Sequence, residues 1–124
     1  MRPRPLSITI ISWLFIVFGV IALVAGLWPL MHMSGADRLA DFEKHWMVHL
    51  SRAAQIIAGV FMLRGKNWAR WLLVVWLAFH VIVGALHSMF HLVTHVIVFA
   101  AGMYFLFRRD ASAYFRRDES VSGE

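Results

Sequence analysis

Four long apolar stretches, separated by short polar segments, make up most of this chain. They cover about residues 6–31, 46–63, 68–86 and 91–107. A helix needs roughly 17–25 residues to cross the hydrocarbon core of a bilayer, and the first three stretches meet that length. The fourth meets it when flanking side chains extend to the interface. Backbone groups in lipid must be hydrogen-bonded within their own segment, so the pattern predicts four membrane-spanning helices.

The connections between the stretches are short, which favours an antiparallel bundle. Residues 32–45 are predicted to form an outer loop, residues 64–70 a tight basic turn, and residues 88–90 a short outer turn. Short connections make consecutive helices antiparallel neighbours. The sequence therefore predicts one all-α domain over residues 1–124, an antiparallel four-helix transmembrane bundle followed by a cytoplasmic tail over residues 108–124.

Two pairs of small residues indicate close packing between helices. Ala22 and Gly26 lie four residues apart in the first stretch, and Ala54 and Ala58 do so in the second. Small residues at this spacing let helix backbones approach each other in lipid. The same faces are compatible with a homodimer or with a second membrane protein as partner.

The composition agrees with a membrane protein. The chain is 60% apolar and 15% charged, with a mean hydropathy of +0.68, whereas a water-soluble domain of 124 residues needs more polar surface. The first stretch exceeds the apolar core of a signal peptide, which favours a retained helix. The chain has no cysteine, which excludes disulfides and thiolate metal sites.

Most of the basic residues fall on one side of the predicted bundle, which indicates its orientation. The positive-inside rule places that side, with both termini, in the cytoplasm, and we expect a bacterial inner-membrane protein. The formal net charge of +5 then comes from a rim of basic residues, which faces anionic lipid headgroups rather than nucleic acid. The residues of this rim are Arg2, Arg4, Arg64, Lys66, Arg70, Arg108, Arg109, Arg116 and Arg117.

The tail allows two interpretations. Tyr114 and Phe115 lie between two arginine pairs, a pattern typical of a segment that rests on lipid headgroups. Alternatively, the tail is a basic flank of the last helix with a frayed end, as chain termini usually are. The sequence favours the second interpretation.

Three short segments carry a resemblance to other proteins. Residues 63–71 read Leu-Arg-Gly-Lys-Asn-Trp-Ala-Arg-Trp, residues 87–88 read His-Ser, and residues 113–116 read Ala-Tyr-Phe-Arg. In these segments the chain resembles a group of small bacterial four-helix membrane proteins of unassigned function. The resemblance covers most of the chain and implies the same fold, but it implies no activity and no functional residue.

The seven histidines all fall near the same ends of the apolar stretches. Four of them form two pairs of equal spacing, His45 with His49 and His91 with His95. Residues four apart share one helix face, and neutral imidazole is a common ligand of zinc, copper and haem iron. The two pairs therefore predict a copper or zinc site with four histidine ligands.

A haem site is the other cofactor hypothesis. Arg52 and His80 lie roughly 9 Å inside the predicted spans, counted from their outer ends, and His87 shares a helix face with His80. His80 or His87, with a histidine of another helix, would ligate haem b, and Arg52 would pair with a propionate. Arg52 also repels a bare divalent ion unless Asp41 or Glu43 compensates its charge.

Membrane topology alone also explains the histidines. Lys and Arg are excluded from the outer side, so amphipathic histidine fills polar positions there, and we favour this explanation. The histidine pairs lack the glutamate of zinc proteases, and no Ser-His-Asp arrangement is legible. All seven carboxylates lie outside the apolar stretches, unlike those of a proton-coupled multidrug transporter. We expect a non-catalytic structural, accessory or sensing role, with haem or metal binding as the alternative.

Overall fold

The computed structural model describes residues 3–123, so Arg2 of the basic rim and the terminal Glu124 lie outside the described residues. Within this range the chain is helical and contains no strand. The first four α-helices are long and apolar enough to cross a membrane, which confirms the predicted all-α four-helix membrane fold. The helices are α1 (Leu6–Leu27), α2 (Gly35–Leu63), α3 (Asn67–His87), α4 (Met89–Phe107) and α5 (Arg109–Ser122).

Consecutive helices pack side by side. α1 packs on α2, α2 on α3 and α3 on α4, and a smaller contact between α1 and α4 closes the bundle. The core is thin, and many large apolar side chains point outward, as expected when lipid rather than water surrounds a bundle. The larger core residues that are fully buried are Ile8, Met62, Leu73, Leu106 and Phe115.

α2 is longer than predicted, because it begins at Gly35 rather than near residue 46. Ser34 caps this helix by accepting a hydrogen bond from the backbone N–H of Asp37 at 3.4 Å. The 29 residues of α2 span about 43 Å, more than the roughly 30 Å of hydrocarbon in a bilayer. Its first turns therefore extend beyond the apolar stretch, into the segment that was predicted to be a loop.

The connection between α1 and α2 is correspondingly short and ordered. α1 ends at Leu27, and a 3-10 helix covers Pro29–His32, where the proline ring suits the first position of a new helical turn. The guanidinium of Arg38 donates hydrogen bonds to the carbonyl oxygens of Leu30 at 2.8 Å and Met33 at 3.2 Å. Arg38 thereby fixes the connection to the start of α2.

The turn between α2 and α3 has the tight form that the sequence predicts. Gly65 has a φ of +78°, a left-handed conformation that favours glycine. The N–H of Lys66 donates to the carbonyl of Phe61, and the N–H of Gly65 to that of Met62, both at 3.0 Å. These bonds satisfy the last carbonyls of α2.

α5 packs against the bundle, which differs from the expected frayed tail. Ala111 and Phe115, one turn apart on α5, are both fully buried. The hydroxyl of Tyr114 donates a hydrogen bond to the carbonyl of Leu63 at 3.0 Å, which ties α5 to the end of α2. Contacts from α5 reach both α3 and α4, so the segment after α4 is a fifth structural element.

Candidate functional site

Six of the seven histidines divide into two groups on different helices, and His32 ends the 3-10 helix. His45 and His49 belong to α2, whereas His80, His87, His91 and His95 belong to α3 and α4. In the second group the ring centroids of successive histidines lie close together: His80 to His95 at 6.0 Å, His91 to His95 at 6.5 Å, and His87 to His91 at 6.3 Å. We call these four residues the α3–α4 histidine row.

Gly84 allows α3 and α4 to approach each other within this row. A methyl group at Gly84 would lie 3.0 Å from Nδ1 of His95 and 3.2 Å from the carbonyl oxygen of His91. His95 therefore packs directly on the backbone of α3 at Gly84. Gly84 lies one helical turn after His80 on the same helix. A planar porphyrin placed between these two helices would have to separate them, so the spacing favours a small ligand over haem at this place.

Three rings of the row are fixed by their own helices. Nδ1 of His80 donates to the carbonyl of Trp76 at 2.9 Å, Nδ1 of His87 to that of Val83 at 2.8 Å, and Nδ1 of His95 to that of His91 at 2.6 Å. A bond to the carbonyl one turn earlier selects the tautomer and leaves Nε2 as the free nitrogen. Metal-ligating histidines are oriented in the same way.

The fourth histidine of the row serves the start of α4. Ser88 is the N-cap residue, and its hydroxyl accepts a hydrogen bond from the N–H of His91 at 3.3 Å. The same hydroxyl is hydrogen-bonded to Nδ1 of His91 at 2.7 Å. His91 therefore has a structural role, because it completes the cap of the helix that follows the α3–α4 turn.

The two histidines of α2 have separate surroundings. His45 lies 3.2 Å from a carboxylate oxygen of Asp41 and 3.0 Å from its carbonyl oxygen. His49 is 8% exposed, and its ring stacks on Phe42 with centroids 5.7 Å apart. Neither ring nitrogen of His49 has a hydrogen-bond partner within the described part of the chain. An unpaired buried polar group carries a desolvation penalty, so His49 is an energetically costly residue.

Arg52 lies beside His49 at the interface between α2 and α1. A side chain at Gly26 of α1 would collide with the guanidinium of Arg52 and would lie 3.4 Å from Cε1 of His49. The carboxylate of Asp41 is paired with His45 and not with Arg52, so it does not neutralise that guanidinium. Gly26 thus provides the space in which the Arg52 side chain runs along α1.

The structure does not test the predicted four-histidine metal site. Within the range that the structure describes, no three or more histidine and carboxylate side chains are grouped so that they could hold a metal ion. The metal-binding role of His45, His49, His91 and His95 therefore stays a prediction. The haem-binding role of Arg52, His80 and His87 also stays a prediction; of these three, His80 faces another histidine of the row.

Polar residues at membrane depth join the helices to one another. The amide of Gln55 donates to the carbonyl of Phe15 at 3.1 Å, which links α2 to α1. The indole N–H of Trp76 donates to the carbonyl oxygen and the hydroxyl of Ser51, both at 2.9 Å, which links α3 to α2. Such interhelical bonds stabilise a bundle in lipid, where the hydrophobic effect between helices is absent.

Arg70 is a buried functional candidate that the sequence pattern did not reveal. It is 8% exposed, and its guanidinium lies 4.5 Å from the ring centroid of Phe107 and 5.2 Å from that of Phe115. It also donates a hydrogen bond to the hydroxyl of Ser112 at 3.4 Å. Ala111 and Phe115, four residues apart on α5, are the sequence signal for an apolar face that meets Arg70, and Phe107 contacts it from the end of α4.

Comparison with known proteins gives no relative. No family model, no curated protein and no solved structure matches this chain. The geometry of its own residues is therefore the basis for a functional proposal.

Proposed function

We propose that this chain is a multi-pass protein of a bacterial inner membrane with a structural, accessory or sensing role and no catalytic chemistry of its own. One observation carries the proposal: the polar side chains at membrane depth hold helices together. Gln55 and Trp76 both donate their hydrogen bonds to a neighbouring helix. Polar residues in a membrane are costly and are the first candidates for chemistry; here their bonding capacity goes into packing.

The distribution of carboxylates supports the same proposal. Asp37, Asp41 and Glu43 lie in the first turns of α2, and Asp110 lies in the first turn of α5. None of these is in the apolar part of a spanning helix, where a proton-coupled transporter carries its acidic group. The resemblance to small bacterial four-helix membrane proteins also supports a location in a bacterial inner membrane, and we include it as part of this proposal. The lipid bilayer is the expected partner, with a second copy or another membrane protein as a further one; Gly26 itself lies in the contact between α1 and α2, and Ala58 is fully buried.

The orientation is part of the proposal and rests on the positive-inside rule. The chain has no cysteine, so single cysteines report topology without background. We expect Ala36→Cys, at the exposed start of α2, to react with a membrane-impermeant maleimide in intact spheroplasts. We expect Ser120→Cys, on the exposed side of α5, to react only after the membrane is permeabilised.

The unmodified chain is the control for this labelling experiment and should show no reaction. The reverse labelling pattern would invert the orientation. Recovery of the protein from the soluble fraction, with both cysteines reactive at once, would refute the membrane proposal altogether.

A second candidate function is binding of a copper or zinc ion at the α3–α4 histidine row. The observation that favours it is the cross-helix pair of His80 and His95, with ring centroids 6.0 Å apart and Nδ1 of each ring bonded to a backbone carbonyl. Both Nε2 atoms are then the free nitrogens, and neutral imidazole suits copper and zinc. On this candidate the protein would sense or carry the ion.

Metal content separates the two candidates. On the first proposal, protein purified in mild detergent from cells supplied with copper, zinc and haem is colourless and holds no stoichiometric metal. On the second, it holds about one copper or zinc ion per chain, which His95→Ala loses and His45→Ala retains, because His45 is outside the row. A visible haem spectrum would contradict both candidates and would support the haem hypothesis.

A further inference from the structure

A large basic cavity lies at the end of the bundle opposite the α3–α4 turn. It is formed by the residues that precede and begin α1, the end of α4 and one face of α5, and its volume is about 980 Å³. Among the residues that the structure describes, its lining contains the arginines Arg4, Arg108 and Arg117 and the carboxylate of Asp110. The hydroxyl-bearing side chains of Ser7 and Tyr114 also line it.

The three arginines of this cavity are not ion-paired with any side chain that the structure describes. The ion pair of His45 with Asp41 lies at the other end of the bundle, and Asp110, which lines the cavity, forms no ion pair with Arg4, Arg108 or Arg117. Arg108 does contact the ring of Tyr104, at 5.7 Å from the centroid. Guanidinium groups bind phosphate through two parallel hydrogen bonds, so the cavity is suited to a phosphate-bearing ligand.

The remaining wall of the cavity is apolar and continues onto the surface of the bundle. It includes Leu6 and Ile10 of α1 and Phe105 of α4, and all three side chains are exposed. Because α1 and α4 make only a small contact, this wall is open to the surroundings of the bundle. A free phosphate ion would make no use of such a wall, whereas a lipid acyl chain would pack along it.

We propose that this cavity binds the phosphate headgroup of an anionic phospholipid, with its acyl chains along Leu6, Ile10 and Phe105. The proposal rests on the membrane location proposed above. Basic pockets between spanning helices on the cytoplasmic side are suited to anionic headgroups. In this fold Arg108, which immediately precedes α5, and Arg117 of α5 both line the cavity, so the packing of α5 against the bundle completes the site.

The chain contains a matched control for the test. Arg108 and Arg117 line the cavity, whereas Arg109 and Arg116, their neighbours on α5, are exposed and do not line it. The double variants R108Q/R117Q and R109Q/R116Q each remove two positive charges from the same segment, residues 108–117. Far-ultraviolet circular dichroism confirms that both keep their helix content, and R108K/R117K provides a variant that keeps the charge but loses the paired guanidinium hydrogen bonds.

The experiment measures binding of dioleoyl phosphatidylglycerol to the full chain in dodecyl maltoside by native mass spectrometry, with phosphatidylethanolamine and inorganic phosphate in parallel. We expect R108Q/R117Q to lower the affinity for phosphatidylglycerol about tenfold or more. We expect R109Q/R116Q to change it less than about threefold, and R108K/R117K to fall between them. Phosphatidylethanolamine should bind more weakly than phosphatidylglycerol in the unmodified chain.

Three results would overturn the proposal. Equal losses in the two glutamine variants would show a diffuse electrostatic attraction rather than a site. Competition by inorganic phosphate at equal concentration would assign the cavity to a free anion, and equal binding of the two lipids would remove the role of the headgroup charge. The assay uses detergent and does not depend on orientation, so its failure would leave the cysteine-labelling result intact, and a reversed orientation would leave the lipid result intact.

Discussion

Replacement of Gly59 by alanine is expected to destabilise the bundle by separating α2 from α1. A methyl group at this position would lie 2.7 Å from Cγ1 of Ile16 and 2.9 Å from the carbonyl oxygen of Ser12. The second contact is with backbone, so no change of rotamer relieves it and α1 itself has to move. Overpacking of this kind costs about 2 kcal/mol, and we expect Gly59→Leu to cost more.

The measurement for Gly59 is the midpoint of unfolding in a dodecyl sulfate titration, followed by tryptophan fluorescence. Gly35→Ala is the control, because a methyl group at Gly35 meets no atom within 4 Å. Gly35 is at the start of α2, where alanine is at least as good a helix former as glycine. Equal midpoints for the two alanine variants would show that α1 and α2 do not depend on this close approach.

Phe115→Ala is expected to release α5 from the bundle. The side chain of Phe115 is fully buried and lies against the guanidinium of Arg70, 5.2 Å from it. Truncation of a buried phenylalanine costs about 3 kcal/mol, and α5 is held by few other groups, among them Tyr114 through its bond to the carbonyl of Leu63. The same change should weaken lipid binding at the basic cavity, because α5 supplies part of its lining.

Limited trypsin digestion tests the release of α5, since the helix contains Arg109, Arg116 and Arg117. We expect Phe115→Ala to be cut at these positions several times faster than the unmodified chain, while the spanning helices stay intact. Val121→Ala is the matched control, because Val121 is on the same helix and is exposed. Cleavage at the same rate in both variants would mean that Phe115 does not hold α5 in place.

The errors in the predicted helix bounds have a common physical cause. The start of α2 is rich in charged residues and was assigned to a loop on the basis of its polarity. Polar residues show where a segment lies outside the hydrocarbon core, but a polar residue does not by itself end a helix. The helix continues into water because Ser34 caps it and because Asp37 in its first turn interacts favourably with the helix dipole.

The candidate site was only partly accessible from the sequence. The spacing of four residues places His91 and His95 on one face of α4, and the structure brings that face to His80. The same spacing does not bring His45 and His49 to a histidine of another helix. His45 lies beside Asp41, and His49 stacks on Phe42. Spacing fixes which residues share a face, whereas contact with a second helix depends on close approaches such as that at Gly84.

The sequence by itself determined the number of spanning helices, their antiparallel order and the tight turn at Gly65. These follow from local properties, namely the length of apolar stretches relative to the thickness of hydrocarbon and the brevity of the connections. Only the tertiary structure decided that α5 packs on Arg70 and that Arg4, Arg108 and Arg117 share one cavity. Both depend on how the volumes of side chains from distant segments fit together, a property that no local pattern contains.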